Sequence, residues 1–304
     1  MRYDIEADWL WQFACNYRCG YCFIDPQALG SKVPRLGTPA EWQDGFRRTG
    51  RTWLLHITGG EPTVHPDFVE ICRLLAQDHY LSLNSNLSHR SIEAFAEAVD
   101  PACVHFINAA LHHDERQARG GLDAFVERVR LLKARGFPVL VTQVADTALL
   151  PRFDDLVQRM AAEGLVVFPK ALRGSHQGRI YPQAYTDAER QQIRRLARAA
   201  REAAPELAHH LGEAPSINVF EEERRLEVVD YSGRRCGAGP RFVQINAQAQ
   251  VLRCGSPVSF GNLLRGPVTL PKDERRCRTS YCPYFCDKYS VAPAVPAGRV
   301  GAGA

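Results

Sequence analysis

The stretch DWLWQFACNYRCGYC, Asp8–Cys22, runs from an apolar, aromatic segment straight into a loop with three cysteines. Cys15, Cys19 and Cys22 stand in the spacing C-x3-C-x2-C. Three thiols are an odd number for disulfides and one short of a closed tetrahedral zinc site. The apolar segment reads as a strand, and the cysteines as the loop that leaves its C-terminal end.

The segments downstream repeat this arrangement. TWLLHITGG, YLSLNSN, VHFINAAL, PVLVTQVA and GLVVFPKA are short, nearly continuous apolar runs, as strands buried on both faces require. Helical patterns lie between them. TPAEWQDGFRR opens with Thr38 and Glu41 at capping-box spacing. HPDFVEICRLLAQ places Phe68, Ile71, Cys72 and Leu75 on one face. IEAFAEAV, LDAFVERVRLLKARG and LPRFDDLVQRMAAEG follow, the last two ending in a glycine suited to a helix stop. Six strands alternating with helices predict an α/β protein of parallel β/α units. Ligands in such sheets bind at the C-terminal strand ends, where the cysteine loop lies.

The chain has 304 residues, 45% hydrophobic and 24% charged, with a formal net charge of +4. Its Lys and Arg are scattered, so there is no nucleic-acid footprint. No apolar run reaches the length of a membrane span, and the N-terminus carries no secretory pattern. A soluble cytoplasmic protein is the expectation, and in that compartment disulfides are rare. Eight of the ten cysteines fall into two groups, Cys15/Cys19/Cys22 and Cys236/Cys254/Cys277/Cys282/Cys286. Cys72 and Cys103 stand apart and read as buried apolar thiols. From about Tyr185 to Ala204 a basic helix with a solvated face links to the next section. FVQINAQAQVLRC reads as a β-hairpin, and the Pro/Gly/Ala-rich tail from Ala292 as disordered.

An iron–sulfur cube held by three thiolates leaves one iron without a protein ligand. With Tyr21 just before the third cysteine, CNYRCGYC resembles the signature of the radical S-adenosylmethionine superfamily. A second motif, TGGEP (Thr58–Pro62), ends the second strand as it does in that family. The resemblance covers roughly residues 8–171 and implies a partial (β/α)6 TIM-like barrel. It implies a 4Fe-4S cluster on Cys15, Cys19 and Cys22, with S-adenosyl-L-methionine on the open iron. Reductive cleavage then gives a 5′-deoxyadenosyl radical that takes a hydrogen atom from a C–H bond. Gly59 and Gly60 allow close backbone approach, and Glu61 accepts from the cofactor's ammonium. Asn84 and Asn86 close the third strand, and Thr142 with Gln143 on the fifth suits ribose hydroxyls. His112 and His113, and Lys170 and Arg173, follow the fourth and sixth strands at the functional end. Zinc with a fourth ligand from elsewhere is the alternative reading of the cysteine loop, one that TGGEP at the second strand end disfavours.

The second cysteine group resembles the SPASM extension or its shorter Twitch relative, which holds auxiliary clusters. Ala249 and Gln250 stand where that pattern has glycine before the hairpin's second cysteine. Five cysteines suffice for one 4Fe-4S cluster and one thiol over, so two clusters are expected in all; a zinc ribbon is the alternative. Cys236, Cys277, Cys282 and Cys286 are the favoured ligands and Cys254 the spare thiol. In the competing set Cys236 and Cys254 are both ligands, and Cys277 or Cys282 is spare.

A spare thiol beside a radical site is what a radical epimerase needs as a hydrogen-atom donor. In this and in length the chain resembles the neomycin C epimerase type, which implies an aminoglycoside-like small molecule as substrate. The absence of a peptide-recognition domain ahead of Cys15 disfavours a ribosomal peptide. A radical dehydrogenase of an amino-cyclitol or sugar alcohol, and a radical peptide-modifying enzyme, are the alternatives. An external one-electron reductant such as flavodoxin or ferredoxin is implied; no nucleic acid and no membrane partner is. The expected organisation is a barrel over 1–180, a helical linker over 181–230, an auxiliary cluster region over 231–291 and a disordered tail over 292–304.

Overall fold

The first strand, β1 (Ile5–Gln12), carries Ile5, Ala7, Trp9 and Trp11 at its odd positions, all buried. Trp9 packs its ring on Trp42 and Phe46, 4.8 and 5.5 Å between centroids. Those two residues belong to α1 (Pro39–Arg47), so the odd positions of β1 face the helices and the even ones face the opposite side. The structure is a computed structural model that describes residues 1–22, 24–25, 27–30, 35–207, 226, 230–280, 282 and 289–291. Cys286, the tail from 292 and most of 208–229 lie outside the described residues.

The chain continues through β2 (Trp53–Gly59), α2 (Phe68–Leu75), β3 (Tyr80–Ser85), α3 (Ser91–Ala98), β4 (Val104–Ala110), α4 (His113–Ala118), α5 (Leu122–Ala134), β5 (Val139–Val144), α6 (Phe153–Ala162) and β6 (Val167–Lys170). The strands pair in parallel in the order β1-β2-β3-β4-β5-β6. This is the expected α/β fold with a central sheet of parallel strands, consistent with a partial TIM-like barrel. The Thr38–Glu41 capping box forms, and Phe68, Ile71, Cys72 and Leu75 are the buried residues of α2. Cys103 departs from expectation: it sits half-buried in a turn before β4. β6 starts three residues into the apolar run GLVVFPKA because Gly164, at φ +74°, first closes α6.

The inward side chains grade along the strands. Phe106, Leu140 and Phe168 form a buried floor, while Leu10, Thr58, Asn84, Ala110, Val144 and Lys170, further along their strands, are half-buried. A hairpin of β7 (Gly174–His176) and β8 (Arg179–Tyr181) leads to α7 (Asp187–Ala203). Its basic face is solvated, but Ile193, Leu196, Ala197 and Ala200 are buried, and Ala200 packs on the phenylalanines and leucine of the floor. The basic helix is therefore a plug as well as a connection.

β9 (Arg235–Cys236) precedes β10 (Phe242–Ile245), β11 (Gln250–Leu252) and β12 (Ser259–Asn262). β10 pairs in parallel with β1, Glu6 opposite Phe242 and Trp9 opposite Ile245. The hairpin read from the sequence, β10 and β11, together with β12 thus extends the sheet to nine strands. Its turn is held by the Asn246 side chain, whose Oδ1 accepts from Gln248 N and Gln250 N at 3.0 Å each. Ala249 takes φ +62°, the left-handed region that a glycine would occupy freely. β9 is flanked antiparallel by β13 (Arg275–Arg276) and β14 (Ser290–Val291), which returns Cys277 to the side of Cys236. The Tyr289 hydroxyl donates to buried Glu6 at 2.9 Å, and Arg48, just past the end of α1, donates to Leu263 O at 2.6 Å. A Cβ on Gly45 would lie 2.5 Å from that same Leu263 oxygen, so α1 reaches this contact only with glycine there.

Candidate active site

The three-cysteine loop leaves β1 at the C-terminal end of the sheet, and Cys15, Cys19 and Cys22 are all half-buried there. Burial pushes the Cys15 thiol up to about 11 and that of Cys19 up to about 12, each raised further by neighbouring acidic groups. Bare, these thiols hold their protons; metal binding has to displace them. Arg18 ties the loop by donating to Cys15 O at 2.6 Å and Tyr17 O at 2.8 Å. Asn16 reaches across to Ser88 Oγ at 2.6 Å and accepts from Asn86 Nδ2 at 3.0 Å.

TGGEP packs against the chain that enters this loop. Gly60 N donates to Gln12 O at 2.7 Å, and Glu61 N to Ala14 O at 2.8 Å. A Cβ on Gly59 would meet Gln12 O at 2.4 Å, and one on Gly60 would meet Ala14 O at 2.2 Å. The close approach that the two glycines permit is therefore to the backbone of residues 12–14. Gly59, at φ +141°, also needs the freedom of glycine.

Glu61 is buried and holds the strand ends together. Its Oε1 accepts from Thr63 N (3.0 Å), Thr63 Oγ1 (2.5 Å) and Ser85 Oγ (2.6 Å), and its Oε2 accepts from Asn86 N (2.7 Å). Burial raises its pKa and these donors pull it back. Oε2, with one donor, keeps an acceptor position. Asn86, besides meeting Asn16, offers its carbonyl to Arg116. Gln143 is buried, its Oε1 accepting from His113 N at 2.9 Å and its Nε2 donating to Val144 O at 3.0 Å. Asn84 lies in a lateral ladder across four strands: Asn84 Nδ2 donates to Thr58 Oγ1 (3.2 Å), Asn108 Nδ2 to Asn84 Oδ1 (2.7 Å) and Thr142 Oγ1 to Asn108 Oδ1 (2.7 Å).

His112 and Arg116 add a layer that the sequence reading left open or missed. His112, at φ +46°, brings Nδ1 to 2.8 Å from the Tyr21 hydroxyl and 3.4 Å from Cys19 Sγ. Burial, with Arg116 and Lys170 nearby, lowers its pKa to about 4, so the ring is neutral. Arg116 is buried and donates to Leu111 O, Gly121 O and Asn86 O, with its guanidinium 4.3 Å from the Phe125 ring centre. It has no carboxylate ion pair among the described residues. Burial lowers its pKa to about 10. An arginine on a polar segment gives no sequence sign of burial; the ladder was legible as polar residues at alternate positions of apolar strands.

In the C-terminal region, Cys236, Ala238 and Phe242 form a buried cluster on which Cys254, Cys277, Cys282 and Tyr289 pack. Four of the five cysteines of that group are thus brought together. Among the described residues no three His, Cys, Asp or Glu side chains converge as a single-ion site.

The sequence model of the Radical SAM superfamily matches residues 9–161. Among curated proteins, GTP 3′,8-cyclase of Synechococcus elongatus is 42% identical over 65 residues, 20% of either chain. PqqA peptide cyclase of Methylobacterium nodulans is 32% identical over 171 residues, 50% of this chain and 43% of its own. The matched part thus spans less than half the length of these relatives. Among solved structures, Streptococcus suis SuiB bound to S-adenosylmethionine superimposes with a TM-score of 0.56 at 14% identity, covering 87% of this chain and 64% of SuiB. The protein anSMEcpe with bound AdoMet gives 0.57 at 14% identity, covering 86% and 78%. These superpositions speak to the fold.

Proposed function

Because this chain belongs to the radical SAM superfamily, we propose that it takes a hydrogen atom from a carbon of a small polar substrate and epimerises that carbon, most simply on an aminoglycoside-like sugar. The family implies S-adenosylmethionine and a 4Fe-4S cluster, and the donor set fits them: three thiols on one loop, with the glycine-cradled TGGEP turn docked beside it. When bound, this pair supplies the reductive cleavage that generates a hydrogen-abstracting carbon radical.

Cys15, Cys19 and Cys22 hold that cluster. Gly59, Gly60 and Glu61 shape the cofactor seat, with Glu61 Oε2 as acceptor for an ammonium; Asn84, Asn86 and Gln143 border it. A single auxiliary cluster takes four of the five C-terminal cysteines. The observation that supports the epimerase reading is the thiol count: Cys236, Cys254, Cys277 and Cys282 pack together, and Cys286 makes a fifth. Cys254 is the donor in this reading. Its S–H hydrogen passes to the substrate radical on the face opposite abstraction. The thiyl left behind is restored by one electron from an external flavodoxin or ferredoxin and one proton from solvent. The packing of Cys254 on the cluster that contains Cys236 equally suits a ligand, which would leave Cys277 or Cys282 as donor.

Peptide modification is the second reading, and the match to PqqA peptide cyclase over half of this chain favours it. Dehydrogenation of an amino-cyclitol or sugar alcohol is the third. Incubation of the reduced, reconstituted protein with aminoglycosides in deuterium oxide separates them. Epimerisation adds one deuteron to product, dehydrogenation gives a carbonyl without the label, and a peptide enzyme leaves the aminoglycosides untouched.

A further inference from the structure

Asp8 is the one charged side chain on the inward face of β1 between Glu6 and the strand end. Its neighbours in register are His56 on β2 and Gln244 on β10. Below it, Glu6 is taken: it accepts from Tyr3 OH at 2.7 Å and Tyr289 OH at 2.9 Å, and His56 Nε2 lies 3.4 Å away. His56 Nδ1 in turn meets Ser82 Oγ at 2.5 Å. Asp8 Oδ1 is shielded from solvent and has no hydrogen-bond partner among the described residues. Lys170, at the end of β6, faces Asp8 electrostatically without offsetting the cost of its burial. A carboxylate oxygen left without a donor in an otherwise satisfied polar lining is a group built for a ligand.

The level of Asp8 fits. The inward positions beneath it are closed by Phe106, Leu140 and Phe168, while Leu10, Thr58 and Lys170 above and around it are half-buried. At strand rise, Asp8 lies about 13 Å below Gln12, the last residue before the cysteine loop. A ligand anchored on Asp8 and one or two sugar rings long would present its upper carbons at that loop. A lone carboxylate selects an ammonium over a hydroxyl because the bond is charge-assisted. No second carboxylate is available to make a divalent cation site, since Glu6 is engaged and no group of three ligating side chains converges among the described residues.

We infer that Asp8 binds a primary ammonium group of the substrate inside the barrel, so that the substrate is an amine-bearing, hydroxylated small molecule entering with its amine downward. This deepens the proposed function and rests on it for the identity of the reacting site. The half-buried Thr58 hydroxyl, ordered by Asn84, lies on the same inward face to meet a hydroxyl.

The test is calorimetric binding to the anaerobic holoenzyme, with the aminoglycoside paromomycin and its fully N-acetylated derivative as probes. Wild type is expected to favour the free amine by about 10- to 100-fold, the value of one charge-assisted hydrogen bond. Asp8→Asn should lose that preference yet bind S-adenosylmethionine as wild type does, which shows that it is folded; Asp8→Glu should keep part of it. Equal binding of the two probes by wild type, or a preference that survives in Asp8→Asn, overturns the assignment. If the Asp8-dependent preference appears but no epimer forms, the assignment stands and the epimerase reading falls. If epimer forms with the same KM in Asp8→Asn, the reading stands and the assignment falls.

Discussion

Replacing Asp8 by Asn is expected to make the protein more stable above neutral pH. Burial pushes the Asp8 carboxyl up to about 7 from 3.8, with Lys170 pulling weakly the other way. In the unfolded chain the group titrates near its ordinary value. Between about pH 4 and 7 the native state therefore binds more protons than the unfolded one, so stability falls as pH rises through that window and levels off above it. Titration near 7 in place of 3.8 corresponds to about 4 kcal/mol in full. Asp8 is only half-buried as a residue, so solvent screening reduces this to about 2 kcal/mol. Asparagine carries no such charge. The two proteins should differ least at the acid end of the range, near pH 4.5, and diverge until, at pH 8, Asp8→Asn unfolds a few degrees higher. Thermal unfolding of both holoproteins across that range, under nitrogen, reads the difference; His56, Glu6 and Lys170 are common to both and cancel. A variant equal to or weaker than wild type at pH 8 would mean that Lys170 already satisfies the carboxylate, and the reasoning fails.

Glu61→Gln should lose about 2–3 kcal/mol of stability. Thr63 N faces one oxygen and Asn86 N the other, so the new amide must set N–H against N–H; denaturant unfolding measures this, and equilibrium dialysis of S-adenosylmethionine separately measures any loss of affinity. Gly45→Ala should destabilise despite a helix-propensity gain of about 1 kcal/mol, because the added methyl lies 2.5 Å from Leu263 O and repacking costs about 1–3 kcal/mol; a raised urea midpoint would contradict the α1 contact. Cys254→Ala should still cleave the cofactor, accumulate a substrate radical visible by electron paramagnetic resonance and keep its iron. Loss of about half the iron, the share of one of two similar clusters, would instead make Cys254 a ligand. Replacing Cys15, Cys19 and Cys22 together by Ala should abolish 5′-deoxyadenosine formation while leaving the iron of the second site.

What the sequence disclosed was whatever local periodicity carries. The apolar strands, β6 with a late start, the α2 face and the Thr38 cap formed where the pattern placed them, because each depends on residues within a turn or two. α4 escaped notice because HDERQA has no apolar stripe; its start is held by Gln143 and its Arg116 is buried on carbonyls and rings. The glycines of TGGEP were legible as a close approach, but the partner backbone, residues 12–14, is distant in sequence and has no local signature. Likewise the apolar stripe of α7 could be read as amphipathic, while the floor it covers is assembled from three separate strands.

The parallel pairing of β10 with β1 makes the first strand an interior one only after nearly the whole chain exists. Until then β1 presents a row of open amides and carbonyls beside two tryptophans, a template for pairing with another chain. A version ending before Arg235 should therefore be insoluble rather than merely inactive. During synthesis the same edge stays bare from the ribosome's first strand until β10 emerges, a long-range closure of the kind that folds slowly.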